Sequence, residues 1–437
     1  MHTEDRAEDN KAAVRADEAE GRGQEAGAAG MTAGSTAAAA HVPHLVLYIG
    51  SLQKGGAERV LGNLAEYFFT LGWRVTFVTT YCHPPEYALP HAGWDADGKP
   101  SYDPVHASFE EARAKGIGRV YSDPDAGLLT GSRVHNFVVR YRVLRNIFKT
   151  LHPDLVLSFS GKNNLMAIAA TRGLVRTDLQ GRRRQVPCAV SVRGMPAREY
   201  AGRAMTLCAK ALFPLAEGVI LQSKGAAEWF PARIRKRAVI LPNSINPAFI
   251  RPVYQGEREK RVVLVGRLDA NKNEGMAVRA FAKTRSRHPE YICDIYGDGP
   301  SRKEFEALAA QLHVSDAVRF HGAVSDVPER IEHAAVYVLT SKAEGMPNAL
   351  IEAMGLGLAP ISTDCPSYGP RGLIRDGENG YLVPVDDVDA MADRLLRLMD
   401  DENLRREMGR RASAVQEEYA PSRINPMWKE YLLGLMN

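Results

Sequence analysis

Short apolar runs, each followed by a helix-length stretch, constrain this chain more than any other feature. His44-Leu45-Val46-Leu47-Tyr48-Ile49-Gly50 is such a run. The glycine pair Gly55-Gly56 follows it, then a helical pattern over residues 60–71 and a second apolar run over 73–79. Strand, glycine loop, helix and strand in this order make a βαβ unit, the crossover that lets two parallel strands lie side by side. Further apolar runs at 155–159, 189–192 and 218–221 alternate with helical stretches, which predicts a parallel sheet covered on both faces. The alternation breaks near Leu241-Pro242-Asn243-Ser244-Ile245-Asn246-Pro247 and a polar stretch, 254–260, follows. It resumes with a run at 261–266, a helix near 275–287, a run at 291–296, the loop Gly297-Asp298-Gly299-Pro300 and a helix through Leu312. The expected fold is α/β, with two doubly wound, Rossmann-like domains in tandem and a cleft between them. A length of 437 residues accommodates both. Ligands of such sheets bind beyond the carboxyl ends of the strands.

Composition narrows the function classes. Residues 1–42 are rich in Ala, Gly and Glu and hold almost no large apolar residue, so they are read as a disordered tail. Their many acids and lack of an apolar stretch fit neither a transit nor a signal peptide, and Met31 is an alternative start. The five cysteines are scattered without a C-x-x-C, which speaks against a disulfide framework or zinc site and fits a reducing cytoplasm. The histidines show no metal-binding spacing. No apolar run nears the roughly 20 residues of a membrane span. The net charge is +4, yet residues 44–245 carry 27 Lys and Arg against 15 Asp and Glu, a local +12. That asymmetry predicts an anionic partner for the first half.

The densest chemistry lies in Ala343-Glu344-Gly345-Met346-Pro347-Asn348-Ala349-Leu350-Ile351-Glu352-Ala353, after the apolar run 335–340. Pro347 suits a first helical turn, which would leave the N–H groups of Asn348, Ala349 and Leu350 free at the positive helix end. Such a terminus binds phosphate without a cation. Glu344 precedes it and Glu352 lies in the second turn, leaning toward the N-terminus. One ligand could touch both carboxylates, with phosphate at the helix end and hydroxyls on either side, which is the layout of a nucleoside-diphosphate sugar. A solvated acidic helix with a proline start is the plainer reading.

Glu344-x7-Glu352 resembles the paired-glutamate motif of the retaining GT-B glycosyltransferases of family four. The text from Glu344-Gly345-Met346-Pro347 through Ser362-Thr363-Asp364-Cys365-Pro366 to Asp376-Gly377-Glu378-Asn379-Gly380 is similar to that family's bacterial cell-surface polysaccharide branch, and the resemblance runs from about residue 44 to the end. It implies an acceptor-binding domain at 43–245, a nucleotide-sugar domain at 246–421, and a last helix, 422–437, crossing back to brace the first domain. Glu344 would hold hydroxyls of the transferred sugar and Glu352 those of the ribose. In Gly266-Arg267-Leu268-Asp269-Ala270-Asn271-Lys272, the resemblance gives Arg267 and Lys272 the leaving diphosphate; otherwise this is a solvated basic loop. Gly55 and Gly56 would approach the donor, or merely form a tight turn; Gly297 sits in a loop like the one near the nucleobase. Gly345, Met346, Pro347, Asn348, Ala349 and Leu350 complete the donor set.

Arg193, in Ser191-Val192-Arg193-Gly194-Met195-Pro196, resembles an acceptor-domain position that would meet acceptor or donor phosphate; a structural salt bridge is equally open. Many family members have a cleft histidine in this domain. The matching stretch, Ser158 to Asn164, has none, and Lys162 or Asn163 is expected to substitute. No convincing D-x-D metal motif occurs, since Asp95-Ala96-Asp97 lies in an irregular Gly/Pro-rich stretch. Metal independence and no cofactor beyond the co-substrate are therefore expected.

The implied activity moves a hexose or N-acetylhexosamine from an NDP-sugar, expected to be a UDP-sugar, to a lipid-linked saccharide at the cytoplasmic membrane face. Basic residues alternate with apolar ones over 133–149, and Arg182-Arg183-Arg184 and Arg233 to Arg237 add charge. This surface is read either as peripheral contact with an anionic bilayer or as an ordinary half-buried helix; no nucleic-acid motif accompanies it. The rivals are a GT-B sugar-nucleotide epimerase and a non-catalytic sugar-nucleotide-binding subunit. A dinucleotide oxidoreductase is disfavoured, because no G-x-G-x-x-G follows the first run.

Overall fold

The structure, a computed structural model, describes residues 41–437 except 54, 85, 179 and 180. The tail expectation for 1–42 thus falls outside the described residues apart from its last two. Residues 42–437 form one compact unit.

Two parallel sheets dominate it. The first holds β1 (His44–Ile49), β2 (Arg74–Thr79), β3 (Gly118–Tyr121) and β4 (Leu155–Phe159). A small antiparallel hairpin, β5 (Val175–Thr177) and β6 (Arg183–Gln185), stands apart from it; β7 (Cys188–Ser191), β8 (Gly218–Leu221) and β9 (Ala238–Ile240) complete it in the order β3-β2-β1-β4-β7-β8-β9. All six residues of β1 are buried, as expected of a central strand covered on both faces. The second sheet holds β10 (Glu259–Val265), β11 (Ile292–Tyr296), β12 (Val318–Gly322), β13 (Ala334–Leu339), β14 (Ala359–Thr363) and β15 (Tyr381–Val383), in the order β12-β11-β10-β13-β14-β15. In each sheet the strand order reverses beside the first strand, and the loops after β1, β10, β11 and β13 all reach one cleft.

The chain changes sheets between β9 and β10, then returns. In the last helix, Pro421–Met436, Ile424, Trp428, Leu432 and Met436 recur every four residues and join the core of the first sheet. Trp428 is buried, and its indole N–H donates to the Pro242 carbonyl at 3.1 Å. This stripe ties the chain end to the first domain through apolar burial.

One local expectation changes. The helix expected to include Pro347 runs Asn348–Gly355, with Pro347 as its extended N-cap. Asp95 and Asp97 form a turn, in which the Asp95 carboxylate accepts from the N–H groups of Asp97 (3.0 Å) and Lys99 (2.8 Å).

Candidate active site

A cavity of about 1170 Å³ lies between the sheets. It is large enough for a nucleotide sugar. Of the residues expected at the site, Gly55, Gly56, Arg193, Arg267, Lys272, Gly297, Glu344, Met346, Pro347, Asn348, Ala349 and Glu352 line it.

Glu344 and Lys272 meet there. The Lys272 ammonium donates to Glu344 Oε1 at 2.6 Å, and the Ser341 hydroxyl donates to the same oxygen at 2.6 Å. Burial works against the charge of Lys272, but Glu344, Glu274 and Asp269 outweigh it and hold its pKa above the usual lysine range. Its loop is shaped by Asp269, whose Oδ1 accepts from the N–H groups of Asn271 (2.9 Å) and Lys272 (3.0 Å). Arg267 opens the same loop with a side chain 72% exposed, its Nε 3.6 Å from Asp269 Oδ2. One cation is thus paired, its side chain 26% exposed, and the other is open to an incoming anion.

The helix end is narrower than expected. The Leu350 N–H donates to the Pro347 carbonyl at 3.1 Å and its side chain is fully buried in the core, so Leu350 does not serve a ligand. The Asn348 and Ala349 N–H groups precede the first helical hydrogen bond and remain for an anion. The Asn348 side-chain amide faces the glycine loop, donating to the Gly56 carbonyl at 3.4 Å. A side chain on Gly55 would place Cβ 2.2 Å from Glu58 Oε2. Gly297 is constrained more tightly: its φ is 142°, and a Cβ would lie 1.7 Å from the Gly266 carbonyl oxygen.

Other expected residues do different work. Gly345 does not line the cavity; a Cβ there would lie 2.2 Å from the Arg193 carbonyl oxygen, so its bareness lets the domains touch. Arg193 reaches the cavity wall with its fork already engaged. It donates to the Asn243 side chain and to Ser191 Oγ (3.3 Å), and its guanidinium carbon stands 4.5 Å from the Phe159 ring centroid. Burial pulls its pKa down to about 9 against the opposing pull of Glu199 and Glu58. Lys162 is exposed at the start of the helix Gly161–Thr171, and Asn163 donates to the Phe159 carbonyl at 3.3 Å. Neither lines the cavity, so neither stands in for the absent histidine.

Three side chains that carry no motif of their own complete the region. Arg59, in the first turn of the helix Gly56–Thr70, places Nη2 2.5 Å from Glu352 Oε1. This is an ionic contact and not an aligned hydrogen bond. Asn243 is buried and donates to Asn348 Oδ1 at 2.7 Å, bridging the domains. Glu274 is buried behind Lys272 with Oε2 unpartnered. Only position hinted at the first two, Arg59 through its nearness to Gly55-Gly56 and Asn243 through the junction segment.

Burial pushes the Glu274 carboxyl up to about 8, with Lys272 only partly opposing. The folded state therefore holds a proton that the unfolded chain releases above about pH 4.3. Stability from this group is full below that pH and is lost as pH rises toward about 8. Glu274→Gln is accordingly expected to raise Tm, by more at pH 8 than at pH 5. Thermal melts across that range check this, and a pH-independent difference would count against it.

Among the described residues, no three His, Cys, Asp or Glu side chains cluster to hold a metal ion, and no helix is long and apolar enough to cross a membrane.

Comparison with known proteins agrees with this geometry. Residues 54–249 match the profile of Glycosyltransferase Family 4, and residues 248–415 that of Glycosyl transferases group 1. The two meet where the chain changes sheets. A Campylobacter jejuni enzyme, GalNAc-alpha-(1->4)-GalNAc-alpha-(1->3)-diNAcBac-PP-undecaprenol alpha-1,4-N-acetyl-D-galactosaminyltransferase, is 28% identical over 317 residues, 69% of this chain and 82% of the relative. An exopolysaccharide phosphotransferase of Streptomyces coelicolor is 31% identical over 228 residues, 51% of this chain but only 24% of the relative. In fold, the chain resembles the crystal structure of Anabaena HepE in complex with UDP and glucose, with a TM-score of 0.69 at 15% identity over 89% of this chain and 99% of that one. The chain belongs with the GT-B glycosyltransferases of the group 1 and family 4 type.

Proposed function

We propose that this chain is a retaining glycosyltransferase that moves a hexose or N-acetylhexosamine from an NDP-sugar, specifically a UDP-sugar, to a lipid-linked saccharide in bacterial cell-surface polysaccharide synthesis. The observation that carries the reading is the grouping, in one cavity, of the Lys272–Glu344 pair, exposed Arg267, the Asn348–Ala349 N–H groups and buried Glu352. The helix end and the two cations would stabilise the leaving diphosphate, Glu344 would hold sugar hydroxyls, and Glu352 would hold the ribose. Retention is assigned to front-face attack: the acceptor oxygen bonds to the anomeric carbon as the phosphate oxygen leaves, and that oxygen takes the acceptor proton. No side chain is needed as nucleophile. The Campylobacter relative, whose name specifies an undecaprenol-linked saccharide, and the UDP in the HepE complex support the acceptor and donor classes. A panel of UDP-, GDP- and ADP-sugars, assayed with and without undecaprenol-diphosphate saccharides, tests the proposal. Acceptor-dependent transfer that persists in EDTA is expected. Epimerised sugar nucleotide without acceptor, or transfer only with added Mg²⁺ or Mn²⁺, would contradict it.

A peripheral position on the inner face of the cytoplasmic membrane belongs to the same proposal. The helix Arg133–Leu151 buries Leu144, Phe148 and Leu151 at one end and exposes Val134, Phe137 and Val138 at the other. Arg133 and Arg142 are exposed on the same half of the helix and Lys149 in its last turn, whereas Arg145 is already committed to the carbonyls of Ala170 (2.9 Å) and Arg172 (2.6 Å). Each exposed cation near an anionic bilayer contributes about 1 kcal/mol, less at high salt. The protein is expected to sediment with anionic liposomes at low salt and to detach at high salt. Reversing Arg133, Arg142 and Lys149 to Glu should weaken that binding without changing donor hydrolysis. Equal binding to neutral liposomes would show that charge is not the cause.

A further inference from the structure

Arg59 and Glu352 form an ion pair that the donor reading does not require. Glu352 is 5% exposed, and its Oε1 has the guanidinium 2.5 Å away as its charge partner. The Arg59 side chain is 24% exposed, comes from the first domain and shares the cavity wall with Gly55, Gly56, Asn348 and Ala349. Burial pushes the Glu352 carboxyl up, and Arg59 is what opposes this. Arg59 therefore supplies the countercharge for a carboxylate removed from water.

A ribose diol donates two hydroxyl hydrogens and asks for both carboxylate oxygens. One of those oxygens faces Arg59. Oε1 has lone pairs to spare, but it is buried with the guanidinium 2.5 Å away, so a ribose hydroxyl that reaches it displaces the guanidinium. Arg59 is rooted one turn from the glycine loop, and Gly56 already touches Asn348 at the helix end assigned to the diphosphate. The guanidinium fork matches a diphosphate better than a single carboxylate oxygen met without alignment. We propose that Arg59 is a donor-positioning residue that exchanges anions: it neutralises Glu352 until a donor binds and transfers to the donor diphosphate when the ribose claims Glu352. This rests on the donor-site reading above. It also couples the two halves of the donor, because a diphosphate gives the displaced cation a new partner and a bare nucleoside does not.

The test compares wild-type protein with Arg59→Met, which keeps the aliphatic stem, and Arg59→Lys, which keeps a charge. Calorimetry measures binding of whichever of UDP, GDP or ADP the wild type binds best, and of the matching nucleoside. Arg59→Met is expected to weaken the diphosphate by about tenfold or more, the loss of a charged hydrogen-bond partner, while the nucleoside binds equally or more tightly. Arg59→Lys should weaken the diphosphate less and leave the nucleoside no worse. Equal weakening of both ligands would make Arg59 a structural prop, and an unchanged diphosphate affinity would remove it from the donor; either overturns the proposal. Should Arg59→Met fail to fold, Arg59→Lys alone carries the comparison. A wild type that binds none of the three diphosphates refutes the donor site itself, before any variant is compared.

Discussion

Lys272→Ala is expected to lower kcat/KM by about a hundredfold. Loss of one preorganised donor aimed at developing charge typically costs about 10²–10³ in rate. Lys272 is such a donor, partly buried and held on Glu344 at 2.6 Å. Its removal also leaves Glu344 Oε1, among the described residues, with the Ser341 hydroxyl. Arg267→Ala should cost more than about tenfold but less than Lys272→Ala, because water competes for the phosphate with a guanidinium that is 72% exposed. Steady-state kinetics on variants with wild-type circular dichroism check both. Unchanged kcat/KM would remove these residues from the reaction.

Glu352→Gln and Glu344→Gln are expected to fail in different ways. The ribose lies away from the reacting carbon, so Glu352→Gln should raise donor KM more than it lowers kcat. It also strips Arg59 of its partner, which leaves an unpaired cation at the cavity wall. Glu344→Gln should chiefly lower kcat, since its contacts reach the sugar as charge develops and it orients Lys272. The opposite pattern would reverse the two roles.

The architecture was legible because buried parallel strands read as continuous apolar runs. The runs at β1, β2, β4, β8, β10, β11 and β13 are of this kind. The strands β3, β9 and β15 are three or four residues long, and β12 carries Arg319 and His321, so periodicity had nothing to register there. At the site, Glu344, Lys272, Arg267 and Glu352 converge because each sits on a loop or helix following a strand of the same sheet, which spacing can convey. The failures involve contacts between distant segments. Nothing near Lys162 or Leu350 reveals that one does not line the cavity and the other is spent inside the core. Nothing near Arg59 reveals a carboxylate 293 positions away at 2.5 Å. Asn243 looked like part of a domain junction, and its role as a bridge appears only once Asn348 stands opposite it.

A crystal structure with a nucleoside diphosphate tests the central claim most directly. The account predicts ribose hydroxyls on the Glu352 carboxylate, the diphosphate on the Asn348 and Ala349 N–H groups, and Arg267 and Lys272 closing over its oxygens. A nucleotide seated elsewhere, such as the surface cavity bordered by Arg198, Lys342 and Arg371, with Glu352 still paired to Arg59, would contradict it.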